Sequence, residues 1–386
     1  MKVLLEPTYV NMTGANQSMI SLIQQLKNQD IEFLVVVPSE GPLKDFLIQN
    51  QINFVKIIGY QWIYQKGNRS KIMRMKKVLK KVLNFYHEIA LFFILKTQKF
   101  DIVHINSFGG NLGYKAAKWG KIPVIWHLRE FVEKDQGNLF WNKQKSLAEL
   151  EDADFLITIS HSIDCYYSNL INHSRKKMIY NGLAIDNQVD MNINPLENRI
   201  CVLTIAGVVA EHKGQKEAIL AIDELVNNKQ QTDFRLRIVG DDTSTFATEM
   251  KELVKLKKLD QYVEFTGVKN NLSAIWDQTD IALICSKAEA FGRVTVEAMI
   301  LGIPVIGSNT EGTKEILDNG KYGTLYNQGE FTDLAKKIKL VYDNRKSVKQ
   351  KLTDIQSYAY QNYSANKTAN EVFKIYERVV EDEKRA

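Results

Sequence analysis

Cysteine is scarce in this chain. Three are found in 386 residues, Cys165, Cys201 and Cys285, with no CxxC pair and no spacing that would hold a metal. A disulfide-stapled secreted scaffold and a zinc module are thereby excluded. Each cysteine sits in or beside an apolar stretch, so buried free thiols in a reducing cytoplasm are expected. Long apolar runs are missing as well: the longest, Ile89 to Leu95, falls far short of the roughly 20 residues that span a bilayer. The chain opens directly on the strand-like Lys2-Val-Leu-Leu5, so no signal peptide is expected. No Gly-x-Gly-x-x-Gly follows that strand, and there is no Walker loop and no Ser-His-Asp signature. These absences argue against a dehydrogenase, an ATPase and a hydrolase.

What is present is ordinary in bulk and informative in pattern. Apolar residues make up 45% and charged residues 25%, as in a soluble globular protein, and the length suits two domains of about 150 to 200 residues. Apolar, β-branched runs predict strands at Lys2–Leu5, Glu32–Val37, Asn53–Ile57, Ile102–Ile105, Pro123–His127, Phe155–Ile159 and Lys177–Tyr180. Helical patterns such as Gln17–Lys27 and Gly113–Trp119 lie between most of them. A polar, Asn- and Asp-rich break follows at Ala184 to Asn198. Strands then resume at Ile200–Ala206, Phe234–Val239, Tyr262–Thr266, Ile281–Cys285, Pro304–Gly307 and Gly323–Tyr326, and from Phe331 the chain reads as helical. Strand–helix alternation of this kind predicts α/β domains with doubly wound parallel sheets. The expected boundaries are residues 1–185 and 198–358.

Net charge is +6, but it is unevenly spread: between Lys56 and Lys99 there are eleven Lys or Arg and one acid, Glu88. Within that segment Ile72, Met75, Leu79, Val82, Leu83, Tyr86, Ile89, Ala90 and Phe93 can share one helical face. Residues 66–95 therefore read either as an anchor for an anionic membrane surface or as a core-packed helix with a solvated basic face. No nucleic-acid-binding motif accompanies the charge, so no nucleic-acid partner is expected.

The richest stretch is Ser286 to Gly302. Glu289 and Glu297 stand eight apart around Phe291-Gly292, between the apolar runs Ile281–Cys285 and Pro304–Ile306. This reads as strand, tight loop, short helix, strand. A helix beginning just after Gly292 would turn unpaired amides and its positive dipole end toward an anion, with a carboxylate on each side. A ligand carrying phosphate and several hydroxyls suits such a site. Gly207, Gly240, Gly267 and Ser286 each follow a strand, and Lys213-Gly214 opens a helix. Together they outline a nucleotide site at the carboxyl edge of one sheet. Asp152-Ala-Asp154 directly precedes a strand and reads as a helix-end or turn feature rather than a metal site. His161 and His173 read as surface residues, and His104, ending a strand, reads as either a core histidine or a substrate contact.

In order and spacing, Gly207…Lys213-Gly-Gln, Ile238-Val-Gly240, Phe265-Thr-Gly-Val268, Ser286…Glu289-Ala-Phe-Gly-Arg-Val-Thr-Val-Glu297, Gly302-Ile-Pro-Val305, Gly312…Glu315 and Gly323 resemble glycosyltransferase family 4. The first half resembles it more loosely, through Thr13-Gly-Ala-Asn16, Asp101-Ile-Val-His104, Trp126-His-Leu-Arg-Glu130 and Asn181-Gly182. The resemblance implies a GT-B fold, two Rossmann-like domains facing across a cleft, with helix 360–386 crossing back to the first. It also implies a retaining transferase that moves a sugar from a nucleotide diphosphate, UDP by family habit. On that resemblance the catalytic residues are His127, Lys213 and Glu289. Donor binding falls to Gly14, Ala15, Asn16, Gly207, Lys213, Gly240, Gly267, Val268, Ala290, Phe291, Gly292, Arg293 and Glu297. His104, Asn106, Arg129 and Glu130 are the acceptor candidates. Glu297 would hold the ribose hydroxyls, Glu289 the sugar hydroxyls and Lys213 the leaving diphosphate.

Three positions depart from the family pattern: Thr13 stands for its first glycine, Asn16 for an acidic residue, and Val208 for an arginine. His212, Arg293 or another lysine is left to replace that cation. If Glu289 to Glu297 were helical, the two carboxylates would be separated by about 12 Å along the axis, too far for the pair of about 5 Å that a retaining glycosidase uses. Departure of the diphosphate on the face that the acceptor attacks is the mechanism expected instead. The expectation is thus a cytoplasmic transferase, peripheral on the inner face of the membrane. It would need no cofactor or essential metal, its donor being a substrate and its acceptor a lipid-linked or polysaccharide hydroxyl. A weakly catalytic nucleotide-sugar-binding subunit and a nucleotide-sugar epimerase stay open as alternatives.

Overall fold

The structure, a computed structural model, describes residues 1–65, 71–134, 138–184, 196, 200–269 and 273–385. Two compact units divide the chain, one of Met1–Ala184 with Ser364–Ala386 and one of Ile185–Tyr363. The polar break expected at 184–198 lies almost wholly outside the described residues.

The first unit contains β1 (Lys2–Pro7), β2 (Glu32–Val37), β3 (Phe54–Lys56), β4 (Ile63–Gln65), β5 (Ile102–Asn106), β6 (Val124–Leu128), β7 (Asn138–Phe140), β8 (Phe155–Thr158) and β9 (Lys176–Met178). Seven of them pair in the order β3-β2-β1-β5-β6-β8-β9, every pair parallel. Helices cover both faces of such a sheet, which is why β5 and β6 are buried at every position and read as unbroken apolar runs. One core joins Val3, Leu5 and Val35 to Met19 and Ile23 of the helix Gly14–Gln25. It also takes in Ala369, Val372, Tyr376 and Val379 of the last helix, Ala365–Arg385. Those four recur at three- and four-residue spacing, the period of one helix face. The last helix is held at its start by Ala365 N–H donating to Leu183 O (2.9 Å) and by the Thr368 hydroxyl donating to Tyr180 O (2.7 Å). A Cβ at Gly182 would stand 2.5 Å from Ala365 Cα, so this junction requires glycine.

The basic helix runs from Lys71 to Thr97 and packs on the helix Leu112–Gly120. Among its described side chains the fully buried apolar ones are Leu91 and Leu95, with Glu88 paired to Lys115 at 2.6 Å. Leu79, Val82, Tyr86 and Phe93, expected on one apolar face, are instead exposed, Leu79 and Tyr86 by 60% and 63%. The core-packing reading of that face is therefore corrected: the chain buries a different stripe. Residues 66–70 of this segment, and the side chains of Ile72 and Met75, lie outside the described residues. Cys165 is also corrected, being exposed while Cys201 and Cys285 are buried. Its helix, His161–Ser168, turns Ile163 and Tyr167 inward at i and i+4 and leaves Cys165 on another face.

The second unit contains β10 (Cys201–Ala206), β11 (Phe234–Val239), β12 (Val263–Phe265), β13 (Ile281–Ile284), β14 (Val305–Ser308) and β15 (Thr324–Tyr326). They pair in parallel in the order β12-β11-β10-β13-β14-β15. The chain builds outward from β10 to β12, returns, and lays β13 on the other edge of β10. That reversal opens a crevice at the carboxyl ends of β10 and β13, where open α/β sheets bind ligands. All thirteen expected strands occur in these two sheets, within a residue or two at each end. The antiparallel ribbon β4–β7, two strands of three residues, was not expected.

Candidate functional site

At the crevice between β10 and β13 the loops following the two strands meet. The loop after β10 passes through a single turn, Glu211–Lys213, to Gly214, whose φ is +75°. A Cβ on Gly214 would lie 2.1 Å from the carbonyl oxygen of Cys285, so only glycine lets this loop close onto the end of β13. Lys213 is thereby carried to Glu289, Nζ to Oε1 at 2.6 Å, and the Ser286 hydroxyl donates to the same oxygen at 2.7 Å. Both side chains are about one-fifth to one-quarter exposed, 26% for Lys213 and 18% for Glu289. Lys287 N–H donates to His212 O (2.8 Å) and its ammonium pairs with Glu211 (2.9 Å), tying the two loops at a second point. Burial, with Lys213 beside it, lowers the pKa of His212.

The helix Arg293–Ile300 starts at Gly292, φ +99°, with no side-chain cap and no acid in its first turn. Thr295 N–H closes the first turn on Gly292 O (3.0 Å), and no carboxylate of that turn offsets the positive end of the helix dipole. Thr295, within that turn, is buried with its hydroxyl oxygen unpartnered. The approach loop is fixed from below: Gly312 N–H donates to Glu289 O at 3.0 Å, and a Cβ there would lie 2.5 Å from Phe291 O. Phe291 is buried, its ring edge-on to Tyr363 at 5.8 Å. Glu297 and Arg293 approach only to 4.0 Å; desolvation raises the carboxyl pKa and lowers that of the guanidinium. Above β10 and β12, Gly207 and Gly267 face open space, whereas Gly240 packs on Gly207, with a Cβ 2.0 Å from Gly207 O. Val268 and Val208 are exposed.

In the first unit the remaining candidates cluster at the ends of β5 and β6. The Arg129 guanidinium donates to Asn106 Oδ1 (2.6 Å), to Asn181 Oδ1 and to His127 Nδ1 (3.1 Å). Asn106 in turn donates to Ala15 O at 3.1 Å, across the point where β1 and β5 lie side by side. Arginine can only donate, so His127 Nδ1 is an acceptor and its proton sits on Nε2. His104 Nε2 lies 3.3 Å from that same Nδ1, and its Nδ1 lies 2.6 Å from the Tyr376 hydroxyl. Both imidazoles are therefore neutral Nε2–H tautomers; burial and Arg129 push His104 down to about 3 and His127 well below its ordinary value. The Nε2–H of His127 is buried and has no partner. Glu130 accepts from the Ser107 hydroxyl and from Phe108 N–H (3.4 Å). His104, Asn106, His127, Arg129 and Glu130 are all buried and held by protein groups.

Of the Gly14 loop, Gly14 is exposed, Ala15 half-buried and Asn16 buried. The Asn16 amide donates to Tyr9 O (2.7 Å) and Asn11 O (2.8 Å), and Thr13 caps the helix by accepting from Asn16 N–H at 3.4 Å. Asp152 closes the helix Lys143–Glu151, and Asp154 accepts from Val124 N–H at 2.8 Å, as turn residues do. A groove of about 970 Å³ in this unit, lined by Tyr60, Tyr64, Lys80, Lys81, Asn84 and Trp141 among others, was missed from the sequence. No motif marks it, since its walls come from separate segments.

Comparison with known proteins agrees with both sheets. Residues 12–187 match the family model described as Glycosyltransferase Family 4, and residues 186–362 match Glycosyl transferases group 1. The chain is 25% identical over 244 residues to the N-acetyl-alpha-D-glucosaminyl L-malate synthase of Bacillus anthracis, spanning 61% of this chain and 62% of that protein. It is 23% identical over 334 residues to a Campylobacter jejuni alpha-1,4-N-acetyl-D-galactosaminyltransferase that acts on a diphospho-undecaprenol glycan, covering 81% of this chain and 89% of that one. The crystal structure of Anabaena HepE in complex with UDP and glucose superposes with a TM-score of 0.78 at 18% identity, over 98% of this chain and 100% of that chain. With a Family 4 domain followed by a group 1 domain, and two parallel α/β sheets of matching architecture, the chain belongs to the GT-B glycosyltransferases.

Proposed function

We propose that the protein transfers a sugar from a UDP-linked donor, with retention of anomeric configuration, to a hydroxyl of a lipid-linked or polysaccharide acceptor in cell-surface glycan synthesis. The observation that carries this reading is Lys213 poised on Glu289 beside the uncapped start of the helix Arg293–Ile300. As the bond from sugar to diphosphate lengthens, negative charge grows on the departing oxygen. Lys213 and the positive end of the helix Arg293–Ile300 are the groups able to receive it. Glu289, released by Lys213, then holds sugar hydroxyls, and Glu297 holds the ribose. The acceptor hydroxyl passes its proton to the leaving phosphate oxygen on the same face, so neither a separate base nor a metal is needed. The UDP complex of HepE and the diphospho-undecaprenol glycan acted on by the Campylobacter enzyme support the donor and acceptor classes.

Exposed Leu79, Val82, Phe85, Tyr86 and Phe93, beside Lys80 and Lys81 on one helix, support a peripheral position on an anionic membrane face. No helix among the described residues is long and apolar enough to cross a membrane. Binding to vesicles that contain phosphatidylglycerol, and not to purely zwitterionic ones, is the outcome expected of that position.

The central test is thermal stabilisation by UDP, GDP and their sugar conjugates, followed by product analysis. A ligand at 100 times its Kd raises stability by about 2.7 kcal/mol. UDP-sugar should stabilise the protein, and slow donor hydrolysis should release the α-anomer from an α-linked donor. Binding without any turnover would make it a supporting subunit, and conversion of the donor to its epimer would make it an epimerase; either result overturns the proposal.

A further inference from the structure

The groove in the first unit is a built feature with an unusual lining. One wall is the β4–β7 ribbon, whose strands lie more than 70 residues apart in the chain; Tyr64 stacks on Trp141 across it, with ring centroids at 4.3 Å. Trp141 N–H donates to Trp62 O at 2.9 Å, extending the ribbon by one residue. The indole of Trp62 is anchored by its N–H to Phe108 O at 2.7 Å and stacked on Trp126 at 5.6 Å. The facing wall is the basic helix. Asn84 and the Tyr60 backbone bond reciprocally at 2.9 and 3.0 Å, clamping it to the loop before β4.

The lining holds four lysines and no carboxylate. Lys115 is spent on Glu88 at 2.6 Å, and Lys145 lies 3.7 Å from Glu149. Among the described residues no carboxylate comes within ion-pairing distance of Lys80 or Lys81; Lys80 sits 5.4 Å from the Tyr60 ring. A concave surface of one charge sign concentrates ligands of the opposite sign. The aromatic faces are electron-rich and suit the weakly positive C–H face of a pyranose, and amide side chains between them suit its hydroxyls. At about 970 Å³ the space is at the upper end for a small-molecule site, which suits more than one sugar ring.

We infer that this groove binds a glycan bearing phosphate or diphosphate, the sugar lying against Trp141 and Tyr64 and the phosphate at Lys80 and Lys81. Taken as the acceptor site, the inference rests on the transferase reading above; as an anionic-sugar site it stands alone. The test titrates the whole protein, by calorimetry and tryptophan fluorescence, with N-acetylglucosamine, its 1-phosphate and a short-chain prenyl diphosphate conjugate of it. The phosphorylated probes should bind about tenfold or more tighter than the neutral sugar, and added salt should narrow the gap. K80E/K81E, two exposed positions whose fold is checked by circular dichroism, should abolish that preference and leave the weak neutral binding. Trp141→Ala should weaken all three probes. A prenyl conjugate that outbinds the sugar phosphate assigns a lipid-linked source; equal binding assigns a soluble one. Equal affinity for neutral and phosphorylated sugar, or a charge preference that survives K80E/K81E, overturns the inference. UDP titration of the wild-type protein separates the two readings: groove binding without UDP binding would sink the transferase proposal and leave the groove.

Discussion

Replacing Lys213 and Glu289 one at a time should move nucleotide affinity in opposite directions. In the unliganded protein the ammonium is held by the carboxylate at 2.6 Å, with both side chains mostly covered. A diphosphate must take the ammonium away from that partner. A charge-assisted hydrogen bond of this kind contributes about 1.5–3 kcal/mol, reduced to roughly 1–2 kcal/mol by the remaining solvent contact. Lys213→Ala removes the cation and should weaken UDP binding about 5- to 30-fold. Glu289→Gln keeps the shape and releases the lysine, so UDP affinity should be unchanged or rise by up to about fivefold, while transfer from a UDP-sugar falls. Calorimetric titration of UDP against wild type, both single variants and the double variant gives the coupling energy directly. If both single variants weaken UDP by similar factors, Glu289 supports the nucleotide rather than competing for the lysine, and the exchange described here is wrong.

Glu6 is buried, accepts from Leu112 N–H (3.1 Å) and Gly113 N–H (2.6 Å), and has its carboxyl pushed up to about 7 by burial. A folded-state value above the ordinary one means a contribution that is full below about pH 4.5 and is lost as pH rises through 7, of order 3 kcal/mol. Glu6→Gln should flatten the fall in urea stability between pH 5 and 7.5 relative to wild type. Buried His104 and His127 act with the opposite sign below about pH 6.5 and cancel in that difference; an unchanged slope would refute the assignment. Asn16→Ala removes the amide that donates to Tyr9 O and, beside Thr13 N–H, to Asn11 O, and should lower stability by about 1–3 kcal/mol, read from the urea midpoint. A change under about 0.5 kcal/mol would show that the loop does not depend on it.

The sheets were legible because parallel strands covered on both faces must be apolar at nearly every position, as Val124–Leu128 and Ile281–Ile284 are. The β4–β7 ribbon was not: three residues on each side, mixed in polarity and far apart in sequence, carry no periodic signal. Lys213 and Glu289 could each be singled out, yet their direct pairing could not, since it depends on Gly214 fitting against Cys285. The polar residues at the ends of β5 and β6 show a further limit. Sequence places His104, Asn106, Arg129 and Glu130 at a functional edge, but whether such side chains face a ligand or bond one another is decided by packing around them. The apolar period of the basic helix left two readings open for a related reason, because periodicity says that a face exists and not what covers it.

The final helix has a consequence for how the molecule comes into being. Its Ala369, Val372 and Tyr376 fill the same interior as Val3 and Leu5, so the core of the first sheet cannot close until residues 365–385 have been made. The second sheet, contiguous in the chain, can mature during that interval, while apolar surface of the opening half stays uncovered. A chain cut after residue 364 would therefore lose more at its beginning than in the segment just before the cut.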